Sequence, residues 1–182
     1  IHDTKVLENI SFSVNEGEIY GIVGESGSGK SMTALALMGL LPDGATVTGS
    51  AILSNTNLLE ISEAQMCSFR GNTIGMIFQE PMTALNPVQT IGNQVAETLI
   101  IHDRAKRSEA LKIAREKLNR VGLTEDQFPL DKYPHELSGG QRQRVAIALA
   151  IAMRPKILIA DEPTTALDVT TQSQILNLLK SL

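Results

Sequence analysis

The sequence has little of what marks secreted, membrane-spanning or nucleic-acid-binding proteins. Cys67 is its single cysteine, so no disulfide can form within the chain, which fits a reducing compartment. It has no tryptophan, 4 phenylalanines and 2 tyrosines, too few for the aromatic platforms on which single-stranded nucleic acids stack. Against 20 Asp and Glu there are 16 Lys and Arg, and the net charge of −4 offers no overall basic field to nucleic acid. The most conspicuous apolar run, 145–153, is far shorter than the ~18 residues of a membrane-spanning helix.

What is present suits one α/β domain. A length of 182 residues agrees with about 100–200 residues per domain, and 42% hydrophobic residues suffice for a core. Apolar runs and alternation predict strands at 6–14, 19–23, 46–53, 73–78 and 156–160, with a turn at 15–18. Helical spacing predicts helices at 30–41, 88–121 with a polar break at 102–106, 138–153 and 171–182. Strands alternate with helices at both ends, which predicts an α/β core with a helical insertion in the middle.

Residues 24–31, with the sequence GESGSGKS, fit the pattern G-x-x-x-x-G-K-[ST] of a phosphate-binding loop. Glycine permits positive φ angles and close backbone approach, so the N–H groups of about 27–31 would point at a β-phosphate. Lys30 would then bridge the β- and γ-phosphates, and the Ser31 hydroxyl would hold Mg²⁺. A plain glycine-rich turn is the weaker hypothesis, because the loop lies between a predicted strand and a predicted helix. The predicted nucleotide contacts are Gly24, Glu25, Ser26, Gly27, Ser28, Gly29, Lys30, Ser31 and Met32.

A second candidate site follows the apolar segment 157–160. Asp161 and Glu162 come directly after this predicted strand. Beside a phosphate loop, Asp161 can hold the metal through water, and Glu162 can orient or deprotonate the attacking water. Such a pair alone would indicate only a solvated turn, but the loop upstream favours the functional hypothesis. Carboxylates without His or Cys ligands suit Mg²⁺ better than zinc.

Residues 137–141, with the sequence LSGGQ, indicate a second anion site. A serine and two glycines at the start of a predicted helix supply a cap and accessible N–H groups. One ATP cannot need two such cradles within one monomer. Two chains arranged head to tail could use both, with each nucleotide between one phosphate loop and the partner's Ser-Gly-Gly.

In these motifs the chain resembles the ATP-binding subunits of ABC transporters over nearly its whole length. Walker A (24–31), the Q-loop Gln79, the LSGGQ signature, Walker B (157–161) followed by Glu162, and the D-loop (166–168) occur in the family's order. The resemblance implies one ABC-type nucleotide-binding domain over 1–182, partial in extent. Its fold would be a P-loop NTPase core of ABC type, with a helical subdomain at about 82–136 inserted between the Q-loop and the signature motif.

The same resemblance implies a Mg²⁺-dependent ATPase and a set of site residues. The implied catalytic residues are Glu162, Gln79 and Lys30, and the implied metal ligands are Ser31, Gln79 and Asp161. Further implied nucleotide contacts are Ser138, Gly139, Gly140, Gln141 and Asp168. Gln79 would reach Mg²⁺ and sense the membrane subunit.

The implied partners are ATP, transmembrane permease subunits, a second ATP-binding subunit (identical or different, arranged head to tail) and, indirectly, a substrate-binding protein. Nucleic acid is not among them. The protein would lie at the cytoplasmic face of a bacterial or archaeal cell membrane as a peripheral subunit. Segments 79–87 (QEPMTALNP) and 133–137 (YPHEL) resemble the branch that imports dipeptides, oligopeptides and nickel. The implied cargo is therefore a di- or oligopeptide, or nickel.

The chain also departs from the family's pattern. The family's switch histidine lies farther beyond the Walker B glutamate than this sequence extends, and His135, the last histidine, lies beside the signature instead. The aromatic residue that stacks on adenine in the family precedes position 1. We therefore expect a chain truncated at both ends that binds ATP better than it hydrolyses it.

Two alternative functions stay open at this point. One is a nucleotide-binding fragment with little turnover, and the other is a soluble ABC ATPase not coupled to transport. Other side chains carry weaker expectations. Cys67 should be inert and partly buried, His102 at the surface and Tyr20 packed in a sheet, while Arg142 and Arg144 should be near phosphate, solvated or paired with acidic residues.

Overall fold

The computed structural model describes residues 5–80, 84–165 and 167–182, and the chain divides into two compact units, 1–66 and 67–182. The helices are α1 (Lys30–Leu37), α2 (Glu63–Phe69), α3 (Ile91–Ile101), α4 (Arg107–Arg120), α5 (Gly139–Ala150) and α6 (Val169–Lys180). The strands are β1 (Ile52–Leu53), β2 (Thr56–Asn57), β3 (Ile74–Ile77) and β4 (Ile157–Ala160). Positions 81–83 of the importer-like segment and position 166 of the D-loop lie outside the described residues.

The first unit contains α1 and a short antiparallel hairpin, β1–β2, in which Ile52 pairs with Asn57. The hairpin occupies the end of the strand predicted at 46–53 and the residues just after it. Helix α1 begins where the phosphate loop ends, as predicted, and stops at Leu37 rather than 41. The Met38 N–H donates to the Ala34 carbonyl and the Gly39 N–H to the Ala36 carbonyl, each at 3.1 Å, and these two hydrogen bonds close the last turn of α1.

The strands predicted at 6–14 and 19–23 are wrong, since no residue of 5–23 is assigned to a strand. The two segments lie side by side, because the rings of Phe12 and Tyr20 stack with centroids 5.2 Å apart. The turn between them is present, with the Glu18 N–H donating to the Asn15 carbonyl at 3.1 Å. Apolar spacing indicates which residues favour a strand but not whether a neighbour supplies the backbone partners of a ladder. Val23 is 96% exposed, so this apolar run is not the buried strand that its composition predicted.

The second unit is built around α5 and the parallel pair β3–β4. Ile74 pairs with Ile157 and Ile77 with Ala160, and all four residues of β3 are buried. A Cβ on Gly75 would clash with the Ala150 carbonyl oxygen, so β3 and the end of α5 approach too closely for any side chain. The predicted strand at 156–160 and the predicted helix from 138 are confirmed, and α5 packs on the sheet through β3.

Two helices, α3 and α4, occupy the middle of the chain and are separated at the predicted polar break. Both pack against α5 and against each other. Lys117 of α4 is buried and its Nζ donates to the carbonyl of Ile151, the C-cap of α5, at 3.0 Å. A cation at a helix C-terminus is electrostatically favourable, while burial, with Arg154 and Arg120 nearby, lowers the pKa of Lys117. This bond ties the helical segment to the C-terminal end of α5.

Helix α2 was not predicted, and it corrects the expectation for Cys67. The helix buries Met66 and leaves Cys67 exposed, because consecutive helical residues point about 100° apart. None of the helices within the described ranges is both long and apolar enough to cross a bilayer.

Candidate functional site

The phosphate loop, residues 24–31, turns tightly into the N-terminus of α1. Gly27 and Gly29 have φ angles of +80° and +92°, in the left-handed region that favours glycine. Gly29 is buried and forms the N-cap of α1, and a Cβ there would clash with the Leu7 side chain. A Cβ on Gly24 would lie 2.5 Å from the Ser28 hydroxyl oxygen. Gly27 and Gly29 are therefore favoured by their backbone conformation, and Gly24 by its close approach to the Ser28 side chain.

Lys30 lies across this loop. Its Nζ donates to the carbonyls of Gly24 at 2.9 Å and Glu25 at 3.0 Å. The first turn of α1 contains no acidic residue, and its N-cap Gly29 makes no side-chain hydrogen bond to it, so neither contributes a carboxylate to the positive end of the helix. An ammonium group and a helix N-terminus in one loop fit a polyphosphate.

The second group of predicted residues meets at the carboxyl end of β3 and β4. The parallel register continues past β4, because the Asp161 N–H donates to the Ile77 carbonyl at 2.9 Å. Gln79 follows β3 by two positions and Glu162 follows β4, and the Gln79 Nε2 donates to the Glu162 Oε2 at 3.0 Å. Two residues predicted from separate motifs are therefore in contact.

The backbone at Glu162 is unusual, with a φ of +45° in a non-glycine residue. Such a conformation costs on the order of 1–3 kcal/mol and persists only where neighbouring groups fix it. Thr165 supplies two of the fixing contacts: its Oγ1 donates to the Glu162 Oε2 at 2.9 Å, and its N–H donates to the Glu162 carbonyl at 3.2 Å. The sequence analysis missed Thr165, whose signal is a hydroxyl residue within a turn that follows the Asp-Glu pair.

The signature residues Ser138 and Gln141 form a capping box at the start of α5. The Gln141 N–H donates to the Ser138 Oγ at 3.3 Å, and the Ser138 N–H donates to the Gln141 Oε1 at 2.8 Å. The two glycines between them differ. A Cβ on Gly139 would meet nothing within 4 Å, whereas a Cβ on Gly140 would lie 2.8 Å from the Thr171 Cγ2 on α6. Packing within the fold therefore explains Gly140 but not Gly139.

This difference predicts opposite effects of alanine at the two positions. Gly140→Ala should lower the unfolding free energy by ~1–3 kcal/mol, as overpacking does. Gly139→Ala should leave it unchanged or raise it by up to ~1 kcal/mol, because alanine restricts the unfolded chain. Chemical denaturation of the two variants and the parent measures both values. Equal losses in both variants would contradict the packing described for Gly140.

Asp168 begins α6 and caps it. Its carboxylate accepts from the Thr171 N–H at 3.0 Å and the Thr171 Oγ1 at 2.6 Å. These hydrogen bonds hold the pKa of the Asp168 carboxyl below its usual value. Thr171 thus joins the D-loop aspartate to Gly140 of the signature, a link that no single motif revealed.

The two arginines after the signature bind backbone carbonyls. The Arg142 Nε donates to the Pro134 carbonyl at 2.7 Å. The Arg144 guanidinium donates to the Val121 carbonyl at 2.6 Å and to the Gln174 Oε1 at 2.8 Å. Arg144 therefore connects α5 to the end of α4 and to α6, which replaces the expectation of a solvated or phosphate-facing side chain.

The side chains assigned to the metal offer only oxygen ligands. A Ser31 hydroxyl, a Gln79 amide oxygen and an Asp161 carboxylate are donors of the kind that Mg²⁺ prefers. Within the described ranges, no group of three or more His, Cys, Asp or Glu is placed to hold a metal ion. A Mg²⁺ site needs only one or two protein carboxylates, because the ion keeps waters and substrate phosphates among its ligands.

Comparison with known proteins identifies the family to which this chain is similar. The model of the ABC transporter family matches residues 7–165. The chain is 55% identical over 181 residues to the probable peptide ABC transporter ATP-binding protein y4tR of Sinorhizobium fredii, covering 98% of this chain and 54% of that protein. It is 51% identical over 178 residues to the oligopeptide transport ATP-binding protein AppD of Bacillus subtilis, covering 97% of this chain and 54% of that protein. The chain thus spans about half the length of these relatives.

A solved structure gives the same fold. The ATP-binding cassette MJ0796, a dimer bound to ADP and Pi in a post-hydrolysis state, aligns with a TM-score of 0.83 and 36% identity, over 97% of this chain and 74% of that one. The predicted fold class, an ABC-type P-loop NTPase, is therefore confirmed. Because the family model matches residues 7–165, most of the sequence, this chain belongs to the ABC transporter family.

Proposed function

We propose that this chain is the ATP-binding and ATP-hydrolysing domain of a subunit that powers peptide import across a membrane. The observation that carries the proposal is the contact between Gln79 and Glu162 at the carboxyl edge of β3 and β4. A carboxylate held by an amide at the end of a parallel strand is suited to orienting an attacking water. The phosphate loop would bind the phosphates of the ATP that is hydrolysed.

The roles of the individual residues follow from their chemistry. Residues 24–32 bind the phosphates, with Lys30 neutralising the β- and γ-phosphates. Ser31, Gln79 and Asp161 would hold Mg²⁺, and the ion would supply positive charge to the phosphates during hydrolysis. Glu162 orients the water and accepts its proton. Asp168 and the signature residues, through the exposed Gly139 above all, complete the binding of a partner's nucleotide.

Membrane partners and cargo rest on the relatives and on the two importer-like segments. Both relatives are named for peptide or oligopeptide transport, so we favour a peptide cargo over nickel. Helices α3 and α4 fit a helical subdomain at about 82–136, which we propose carries signals to a transmembrane permease. The subunit would then be peripheral, at the cytoplasmic face of the membrane.

The test of the proposed function compares three measurements on the protein together with its permease in vesicles. ATP binding, phosphate release and uptake of a labelled oligopeptide should all be present, and uptake should require ATP. Binding without phosphate release would favour a nucleotide-binding module without turnover. Phosphate release that occurs without permease and is unaffected by it would favour an ATPase not coupled to transport.

A head-to-tail dimer is part of the proposal and predicts a nucleotide-dependent change of mass. The Glu162→Gln form should sediment as a dimer with ATP and as a monomer without it, because hydrolysis no longer ends the bound state. Adding Ser138→Arg should keep it monomeric with ATP, since a bulky cation replaces the small cap at the proposed contact.

Loss of the cap itself costs about 1 kcal/mol, so the stability of the Ser138→Arg form is measured alongside. The matched control is Ser108→Arg on the exposed first turn of α4, which should leave ATP-dependent dimerisation intact. Dimers that persist in a folded Ser138→Arg form would contradict the head-to-tail geometry.

A further inference from the structure

A buried glutamine joins the signature helix to the turn that carries Glu162. Only three polar or charged side chains are classed as buried in the described part of the chain, namely Gln94, Lys117 and Gln143. Gln143 lies in α5, is 1% exposed, and its Nε2 donates to the Pro163 carbonyl at 2.7 Å.

The Pro163 carbonyl is an effective place to fix the Glu162 turn. Proline has its own φ locked, so holding its carbonyl limits the rotation of the peptide unit that follows Glu162. The far side of the turn is held from α6, where the Gln172 Nε2 donates to the carbonyls of Thr164 and Leu167, each at 3.1 Å. Gln143 from α5 and Gln172 from α6 thus both hydrogen-bond the backbone of the turn that carries the Glu162 carboxylate.

The helix that carries Gln143 is itself firmly placed. Its C-terminal end packs on Gly75 of β3 and is capped by Lys117, and its N-terminal end contains the signature residues. Gln143 follows the Ser138 cap by little more than one helical turn. A movement of that end of α5 would therefore be transmitted directly to the Pro163 carbonyl.

We propose that Gln143 is a positioning residue for Glu162. Its hydrogen bond to the Pro163 carbonyl fixes the orientation of the Glu162 carboxylate, and that orientation therefore depends on the position of α5. The inference rests on the proposed function, because it takes Glu162 as the residue that orients the attacking water. It adds a residue that acts on Glu162 through the Pro163 carbonyl.

The test substitutes Gln143→Met, which keeps the length of the side chain and removes the donor. In the protein as the cell makes it, the kcat for ATP hydrolysis should fall about tenfold or more, since small misplacements of reacting groups cost up to ~10²-fold. The Kd for ATP should stay within about twofold, because ground-state binding comes from the phosphate loop. The matched control is Gln94→Met, another buried glutamine whose Nε2 donates to the carbonyls of Asn86 and Gln89. It should lose stability without a comparable fall in kcat.

A double-mutant cycle separates positioning from a general loss of structure. If Gln143 acts through Glu162, Gln143→Met should lower the rate of the parent but not the residual rate of Glu162→Gln. Equal fold-losses in both backgrounds, or an unchanged kcat in Gln143→Met, would overturn the proposal. Should Gln143→Met not fold, Gln143→Asn, which keeps the amide but shortens it by one methylene, takes its place in the same cycle. A Glu162→Gln form that hydrolyses ATP normally would instead contradict the proposed function.

Discussion

Replacing Glu162 by glutamine is expected to lower the rate of ATP hydrolysis by ~10²–10⁴-fold, the usual contribution of a general base. The amide has the shape of the carboxylate, and its oxygen can still accept hydrogen bonds from Gln79 and Thr165. What it loses is the negative charge that draws a proton from water. Steady-state phosphate release and calorimetric binding of ATP, measured on the same preparation, give the two quantities.

The expected pattern is a large loss of turnover with ATP affinity retained. Glu109→Gln, at an exposed position in the first turn of α4, is the matched control and should leave turnover unchanged. Parental turnover in Glu162→Gln would show that the water is activated elsewhere.

Replacing Lys30 by alanine is expected to weaken ATP binding by about 10- to 100-fold, since hydrogen bonds to charged groups contribute ~1.5–3 kcal/mol. The Lys30 ammonium lies across the loop and binds the carbonyls of Gly24 and Glu25. Its removal takes away a positive charge and also a brace of the loop. Titration calorimetry with ATP and with ADP measures the loss, which should be greater for ATP because of the added γ-phosphate.

A control distinguishes the charge from general effects of losing a lysine. Lys132→Ala removes a cation that lies 5.1 Å from the centre of the Phe128 ring, far along the chain from the loop. ATP affinity should be unaffected by it. An unchanged ATP affinity in Lys30→Ala would contradict the proposal that the phosphate loop binds ATP.

The parts of this site that the sequence predicted are those fixed by local backbone chemistry. The phosphate loop requires glycines in the left-handed region at 27 and 29, and a short pattern records that requirement. The helix boundaries at 30, 102–106 and 139 follow from caps and breaks that are local as well. Asp161 and Glu162 were predictable because the apolar strand β4 leads directly into them.

The parts that the sequence could not reveal depend on contacts between distant segments. Gln143 resembles any polar residue of a helix until the Pro163 carbonyl is found beside it, 20 positions away. Thr171 became relevant only because α6 brings it against Gly140. The strands predicted at 6–14 and 19–23 failed for a related reason, since a ladder is a property of two segments and the apolar pattern reports on one.

The left-handed backbone conformation of Glu162 creates a conflict between thermal stability and ATP hydrolysis at a single position. Glycine there would accept the φ of +45° without penalty and would remove the carboxylate in the same substitution. A selection for thermal stability alone would therefore favour variants with glycine at position 162, which lack the carboxylate proposed to activate water. Engineering for thermal stability therefore has to keep Glu162 unchanged and seek its gains at positions outside the proposed nucleotide-binding and hydrolysis residues.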